Sequence, residues 1–121
     1  MITGIHHFAI ISSSEYSVEF YQKLGFVETF RKVRTYDTIV LLEGYGIRLE
    51  LFIDPQHPAH ATNPENLGLR HLALSVMDLE KTVATLGLVI GPIMTDWFGA
   101  KYAFVSDPDG LPIELHEISQ G

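Results

Sequence analysis

Gly4-Ile5-His6-His7-Phe8-Ala9-Ile10 near the start of the chain returns as Gly68-Leu69-Arg70-His71-Leu72-Ala73-Leu74 in its second half. His7 and His71 stand 64 residues apart. Gly46-Ile47-Arg48-Leu49-Glu50-Leu51 and Gly110-Leu111-Pro112-Ile113-Glu114-Leu115 keep the same offset, with 64 residues between Glu50 and Glu114. Two separate blocks sharing one offset read as an internal repeat. The chain is therefore expected to be a single domain over 1–121, made of two modules, 1–53 and 67–117, joined by a loop over 54–66.

Each module carries the same order of signals. His7 to Ile11 and His71 to Val76 are short apolar runs that read as strands. Ser12 and Glu15 have capping-box spacing, Val18, Tyr21 and Leu24 follow at helical spacing, and Gly25 stands where the helix should end. In the second module Asp78 is the predicted cap, Leu79, Val83 and Leu86 the apolar stripe, and Gly87 the stop. Strands are predicted over 35–42, 48–53, 101–105 and 112–117, with turns at Glu43-Gly44-Tyr45-Gly46 and Asp107-Pro108-Asp109-Gly110. Each module thus reads as strand, helix, then two or three strands. The proline-rich stretch 54–66 reads as an exposed connection, and its His57 and His60 as solvated loop residues.

Composition narrows the function. Of 121 residues, 46% are hydrophobic, including seven Phe, five Tyr and one Trp, which suffices for a packed core. The formal charge of −7 offers no cluster of Lys and Arg for a nucleic-acid backbone. With no cysteine, thiolate sites and disulfides are excluded, so any metal must sit on His, Asp and Glu. No apolar run approaches the ~20 residues of a membrane helix, and the first residues do not read as a secretory signal. A cytoplasmic protein without membrane or nucleic-acid partners is expected.

Strand alternation puts His7 on one face with Ala9 and Ile11, Glu50 with Arg48 and Phe52, and Glu114 with Pro112 and His116. The repeat favours His7 over His6, because Arg70 occupies the position matching His6. A carboxylate between leucines on a core strand is costly to bury without a partner. Here that happens twice, each time with a matching histidine. His7, Glu50, His71 and Glu114 form a nitrogen and oxygen donor set suited to one divalent ion, whether Ni, Zn, Co, Mn or Fe. The alternative is two core histidines, with the glutamates paired to Arg48, Arg70 or Lys101. Arg48, on the face of Glu50, would meet an anionic substrate group or pair with Glu43 or Asp54.

His7-Phe8-Ala9-Ile10, the run Phe20-Tyr21-Gln22-Lys23-Leu24-Gly25-Phe26, and the segments around Glu50, His71 and Glu114 resemble the vicinal oxygen chelate superfamily. That superfamily contains glyoxalases, bleomycin-resistance proteins and extradiol dioxygenases. The resemblance implies an α+β fold: two tandem βαβββ modules forming a half-open mixed β-barrel around one metal, with helices outside and modules often paired across a homodimer. It implies a glyoxalase I-like lyase or isomerase acting on a small oxygenated, anionic metabolite, with Glu50 or Glu114 as general base. It also places Tyr36, Trp97, Phe98, Lys101 and Tyr102 near the barrel mouth, where core packing explains the aromatics equally well. Lactoylglutathione lyases have an arginine four residues after the first histidine; here that residue is Ile11, which argues against a glutathione-linked substrate. Methylmalonyl-CoA epimerase-like members are close in pattern, commonly with an amide where Glu50 stands. Three other modes remain open: a metal-free drug- or metabolite-binding protein, an Fe(II) dioxygenase and a fosfomycin-type thiol transferase. His116 reads either as an orienting group for a ligand or as a wet strand end.

Overall fold

The computed structural model describes residues 1–118, which fold as two compact units, Met1–Ala59 and the chain from His60 onward. In the first, the order is β1 (Phe8–Ser12), α1 (Tyr16–Lys23), β2 (Val27–Val33), β3 (Thr38–Gly44) and β4 (Ile47–Ile53). The second repeats it with β5 (Leu72–Val76), α2 (Leu79–Leu86), β6 (Met94–Thr95), β7 (Lys101–Ser106) and β8 (Pro112–Glu117). Each unit is a βαβββ module, so the fold class is α+β, as the resemblance implies. No helix among the described residues is long and apolar enough to cross a membrane.

The sheets run β1-β4-β3-β2 and β5-β8-β7-β6. In each, the first strand pairs parallel with the last and the other pairings are antiparallel. The repeat is kept to the residue in the parallel pairing: Ala9 lies beside Glu50, and Ala73 beside Glu114. The expected half-open barrel is present as one open sheet per unit, and neither closes on itself.

Alternation decides which face meets the helix. In the first unit Val40, Leu42, Leu49 and Leu51 are fully buried, together with Val18, Tyr21, Leu24 and Phe26 from α1 and its exit. In the second, Leu79, Ala103 and Leu115 form the core, with Val83, Leu88 and Ile90 packed on it. Each fully buried Val, Leu or Phe side chain among them gains roughly 1.5–3 kcal/mol from leaving water. The opposite sheet face is thereby left for Glu50, Glu114 and their neighbours.

Several readings change. An unexpected strand, β2, runs over Val27–Val33, and the strand expected over 35–42 runs from Thr38 to Gly44. The Ser12 capping box does not form: Ser12 ends β1, buried, and Glu15 stands at the N-cap of α1 with no side-chain cap. Alternation puts Ser12 on the covered face with Phe8 and Ile10, which removes its hydroxyl from the helix start. Asp78 does cap α2, accepting from the Lys81 N–H at 3.0 Å, and Gly87 closes the helix at φ 63°. The connection over 54–66 is also not wholly solvated. The His60 N–H donates to the Asp109 carbonyl at 2.9 Å, and Thr62 bridges Glu65.

Candidate functional site

In the first unit His7 immediately precedes β1, while Glu50 sits at the centre of β4. Parallel pairing of Phe8 with Leu49 and Ala9 with Glu50 brings the two side chains to the same face. His7 Nε2 lies 3.1 Å from Glu50 Oε2, and His7 Nδ1 lies 2.9 Å from His6 Nδ1. Both side chains of the pair are partly open to solvent.

The second unit repeats this contact, with His71 Nε2 at 3.3 Å from Glu114 Oε1. Here more surrounds it. The Phe104 ring packs edge-on against His71, centroids 5.1 Å apart, and fixes its plane. Glu114 Oε2 meets His116 Nδ1 at 2.6 Å, and His116 Nε2 meets Asp96 Oδ2 at 2.8 Å. Tyr102 stacks on His116 with the rings 8° from parallel. The His116 pKa is raised above its ordinary value, first by the hydrogen bond to Glu114 and then by that to Asp96. Asp96 is held below the usual carboxylate range, chiefly by the Ala100 N–H and then by His116. These groups open onto a cavity of about 810 Å³ lined by Trp97, Tyr102, Phe104, His71, Glu114 and His116 among others.

A metal's fit to each pair can be tested on separation. Two donors about 2.1 Å from one ion and at right angles stand about 3 Å apart. The pairs, at 3.1 and 3.3 Å with Nε2 facing a carboxylate oxygen, meet that spacing. Their donor chemistry, imidazole and carboxylate, suits a divalent ion. Within neither unit do three or more His, Asp or Glu side chains among the described residues converge as a complete metal site. Each unit supplies one pair.

The remaining candidates are placed differently. Arg48 is engaged with Glu43 at 2.9 Å, a cross-strand pair of the β3–β4 hairpin, rather than open for an anion. Lys101 shares a face of β7 with buried Ala103 and Val105, on the helix side, and bonds Glu80 of α2 at 2.8 Å. Alternation therefore separates it from the cavity, whose lining takes Tyr102 and Phe104 instead. Tyr36 lies in the β2–β3 turn beneath the Arg34 guanidinium, 4.5 Å from ring centre to Cζ. Trp97, 97% exposed, stands at the cavity edge. His57 pairs with Asp54 at 3.2 Å, and His60 lines the cavity of the second unit. Sequence reasoning missed Asp96, which lies in an aperiodic loop where no spacing signals a role. His116 was legible as facing the same way as Glu114, but its bridging contacts were not.

Residues 4–115 match the Glyoxalase/Bleomycin resistance protein/Dioxygenase superfamily. The chain belongs to this superfamily. Its relatives include YwkD, an uncharacterised protein of Bacillus subtilis (strain 168), 44% identical over 97% of this chain and 98% of its own. A solved superfamily structure, the glyoxalase family protein from Enterococcus faecalis, aligns with a TM-score of 0.84 at 39% identity, covering 95% of this chain and 98% of that one. The same fold recurs at lower identity in a point variant of FosX, a fosfomycin resistance protein from Listeria monocytogenes, complexed with Mn(II) and 1S,2S-dihydroxypropylphosphonic acid. It aligns at TM-score 0.74 and 15% identity over 99% of this chain and 96% of that chain.

Proposed function

We propose that the protein is a divalent-metal-dependent lyase or isomerase acting on a small oxygenated metabolite, with His7, Glu50, His71 and Glu114 as the ligands of one ion. The reading takes the two modules as one domain, with the pairs supplied by one chain or by two chains of a homodimer in the cytoplasm. The observation that carries it is the duplicated His–Glu contact, with a histidine Nε2 facing a carboxylate oxygen at near-ligand spacing at equivalent positions of the two modules. Superfamily membership and the Mn(II)-bound relative fold support a metal in this role.

A bound divalent ion supplies Lewis-acid stabilisation of negative charge developing on substrate oxygens. The chain's own residues supply the rest. Glu50 or Glu114 accepts and returns a proton, since a carboxylate beside the reacting carbon is within reach of general-base work. Trp97, Tyr102 and Phe104 present apolar walls that position a substrate and exclude water, and Tyr36 offers a similar surface in the first unit. Arg70 lines the cavity and is paired with Glu65 at 2.7 Å, so an anionic substrate would share it with that carboxylate.

Metal content of the purified, untagged protein tests the reading. About one equivalent of Ni, Zn, Co, Mn or Fe per site, lost in both Glu50→Ala and His71→Ala, is expected. No metal after reconstitution overturns it and leaves a metal-free binding protein. Light scattering at micromolar concentration gives the dimer its own test, a monomer removing it.

A further inference from the structure

The two candidate carboxylates are held very differently. Both oxygens of Glu114 are engaged, Oε1 facing His71 and Oε2 bonded to His116 Nδ1. His116 is in turn fixed by Asp96 on its other nitrogen and by Tyr102 against its ring face. Asp96 does not move freely either. Its Oδ1 accepts from the N–H groups of Phe98 at 2.8 Å and Ala100 at 2.9 Å, and its own N–H donates to the Ala100 carbonyl. The chain from loop backbone to Asp96, His116 and Glu114 is continuous.

Among the described residues no such chain surrounds Glu50. The repeat places Phe52 where His116 stands, and Phe52 has no donor. Opposite Phe52 lies Ile39, in place of the Tyr102 that faces His116. Among the described residues His7 is the one basic side chain within ion-pair distance of Glu50. Arg34, already bonded twice to Asp37, adds only a longer-range field.

We infer that Asp96 and His116 are positioning residues that fix Glu114 as a stationary ligand, leaving Glu50 as the carboxylate free to move and act as base. The inference rests on the metal site proposed above and assigns its two carboxylates different duties. Groups that orient a ligand through a hydrogen bond typically contribute 10–100-fold in metal affinity. A His116→Phe substitution copies the first unit's own residue, so it removes the bond while leaving a ring to stack on Tyr102.

The test is Co(II) titration followed by visible absorption, with thermal unfolding of each metal-free protein as the control for folding. His116→Phe is expected to weaken Co(II) binding about 10–100-fold and to alter the band shape. Asp96→Asn keeps an oxygen for the Phe98 and Ala100 N–H groups but no longer presents a carboxylate to His116; it should shift the spectrum in the same direction with a smaller loss. Glu114→Gln should lose at least tenfold more affinity than Glu50→Gln. Should His116→Phe fail to fold, Asp96→Asn and the two glutamine variants decide alone. Wild-type affinity and spectrum in His116→Phe and Asp96→Asn, or equal losses in the two glutamine variants, overturn the inference while the metal site stands. A wild-type protein that takes up no Co(II) overturns the proposed function itself, and this assignment with it.

Discussion

Tyr45 and Gly46 form the two-residue turn between β3 and β4, both with positive φ, 55° and 76°. That turn matches the right-handed twist of the strands, and it throws the tyrosine back over the end of α1. Its hydroxyl donates to the Leu24 carbonyl, and its ring meets Phe26 edge-on at 5.4 Å. Gly25, at φ 109°, lies directly under that hydroxyl, where any Cβ would overlap it. Gly25→Ala should therefore lower stability by about 1–3 kcal/mol in urea unfolding. Adding Tyr45→Phe should recover part of the loss, a coupling that a double-mutant cycle measures; strictly additive effects would mean the backbone conformation alone is at fault. The candidate site shows what a sequence carries at this scale. His7, Glu50, His71 and Glu114 could be named because the repeat pairs them and alternation faces them alike. Asp96 could not, since its role comes from a loop that folds back on β8 and leaves no periodic trace.

Helix starts separate local signal from tertiary placement. Asp78 and Ser12 are both plausible caps by residue type, yet only Asp78 reaches an orphan N–H. Ser12 is drawn into β1 instead, where its Oγ is buried and has no hydrogen-bond partner among the described residues. Asp78→Ala should cost about 1 kcal/mol. Ser12→Ala should be neutral or stabilising, because it removes a desolvated hydroxyl that bonds to nothing. Chemical denaturation of the two variants side by side checks the pair, and a loss of 1 kcal/mol or more in Ser12→Ala would show a bond to that hydroxyl. Most strands were legible from alternation and turns, but two were not: β2, Val27–Val33, for which no strand was expected, and the short β6, whose Met94 and Thr95 carry no pattern. Lys101 illustrates the opposite case: Ala103 and Val105 on its own strand face already marked that side as covered by a helix.

For the whole molecule, the four arginines are all spent on carboxylates: Arg31 on Glu15 and Glu28, Arg34 on Asp37, Arg48 on Glu43 and Arg70 on Glu65. With a net charge of −7, these pairs offset part of the repulsion among 15 acidic residues. The Arg31 guanidinium holds Glu28 below the usual carboxylate range, Arg34 does so for Asp37, and Arg70 for Glu65. A carboxylate whose folded-state pKa is lowered stabilises the fold above its unfolded value of about 4 and loses that contribution as pH falls through the folded value. The contribution of these three carboxylates should thus be flat above about pH 5 and decline below about pH 4. Arg34→Met lets Asp37 return to its unfolded pKa, so the variant should be less stable than wild type at neutral pH. The gap should narrow as acid protonates Asp37 in both proteins. Denaturant midpoints at pH 7, 4 and 2.5 measure it; a gap that stays constant would assign Arg34 to packing on Tyr36 and Phe52, the two rings it covers.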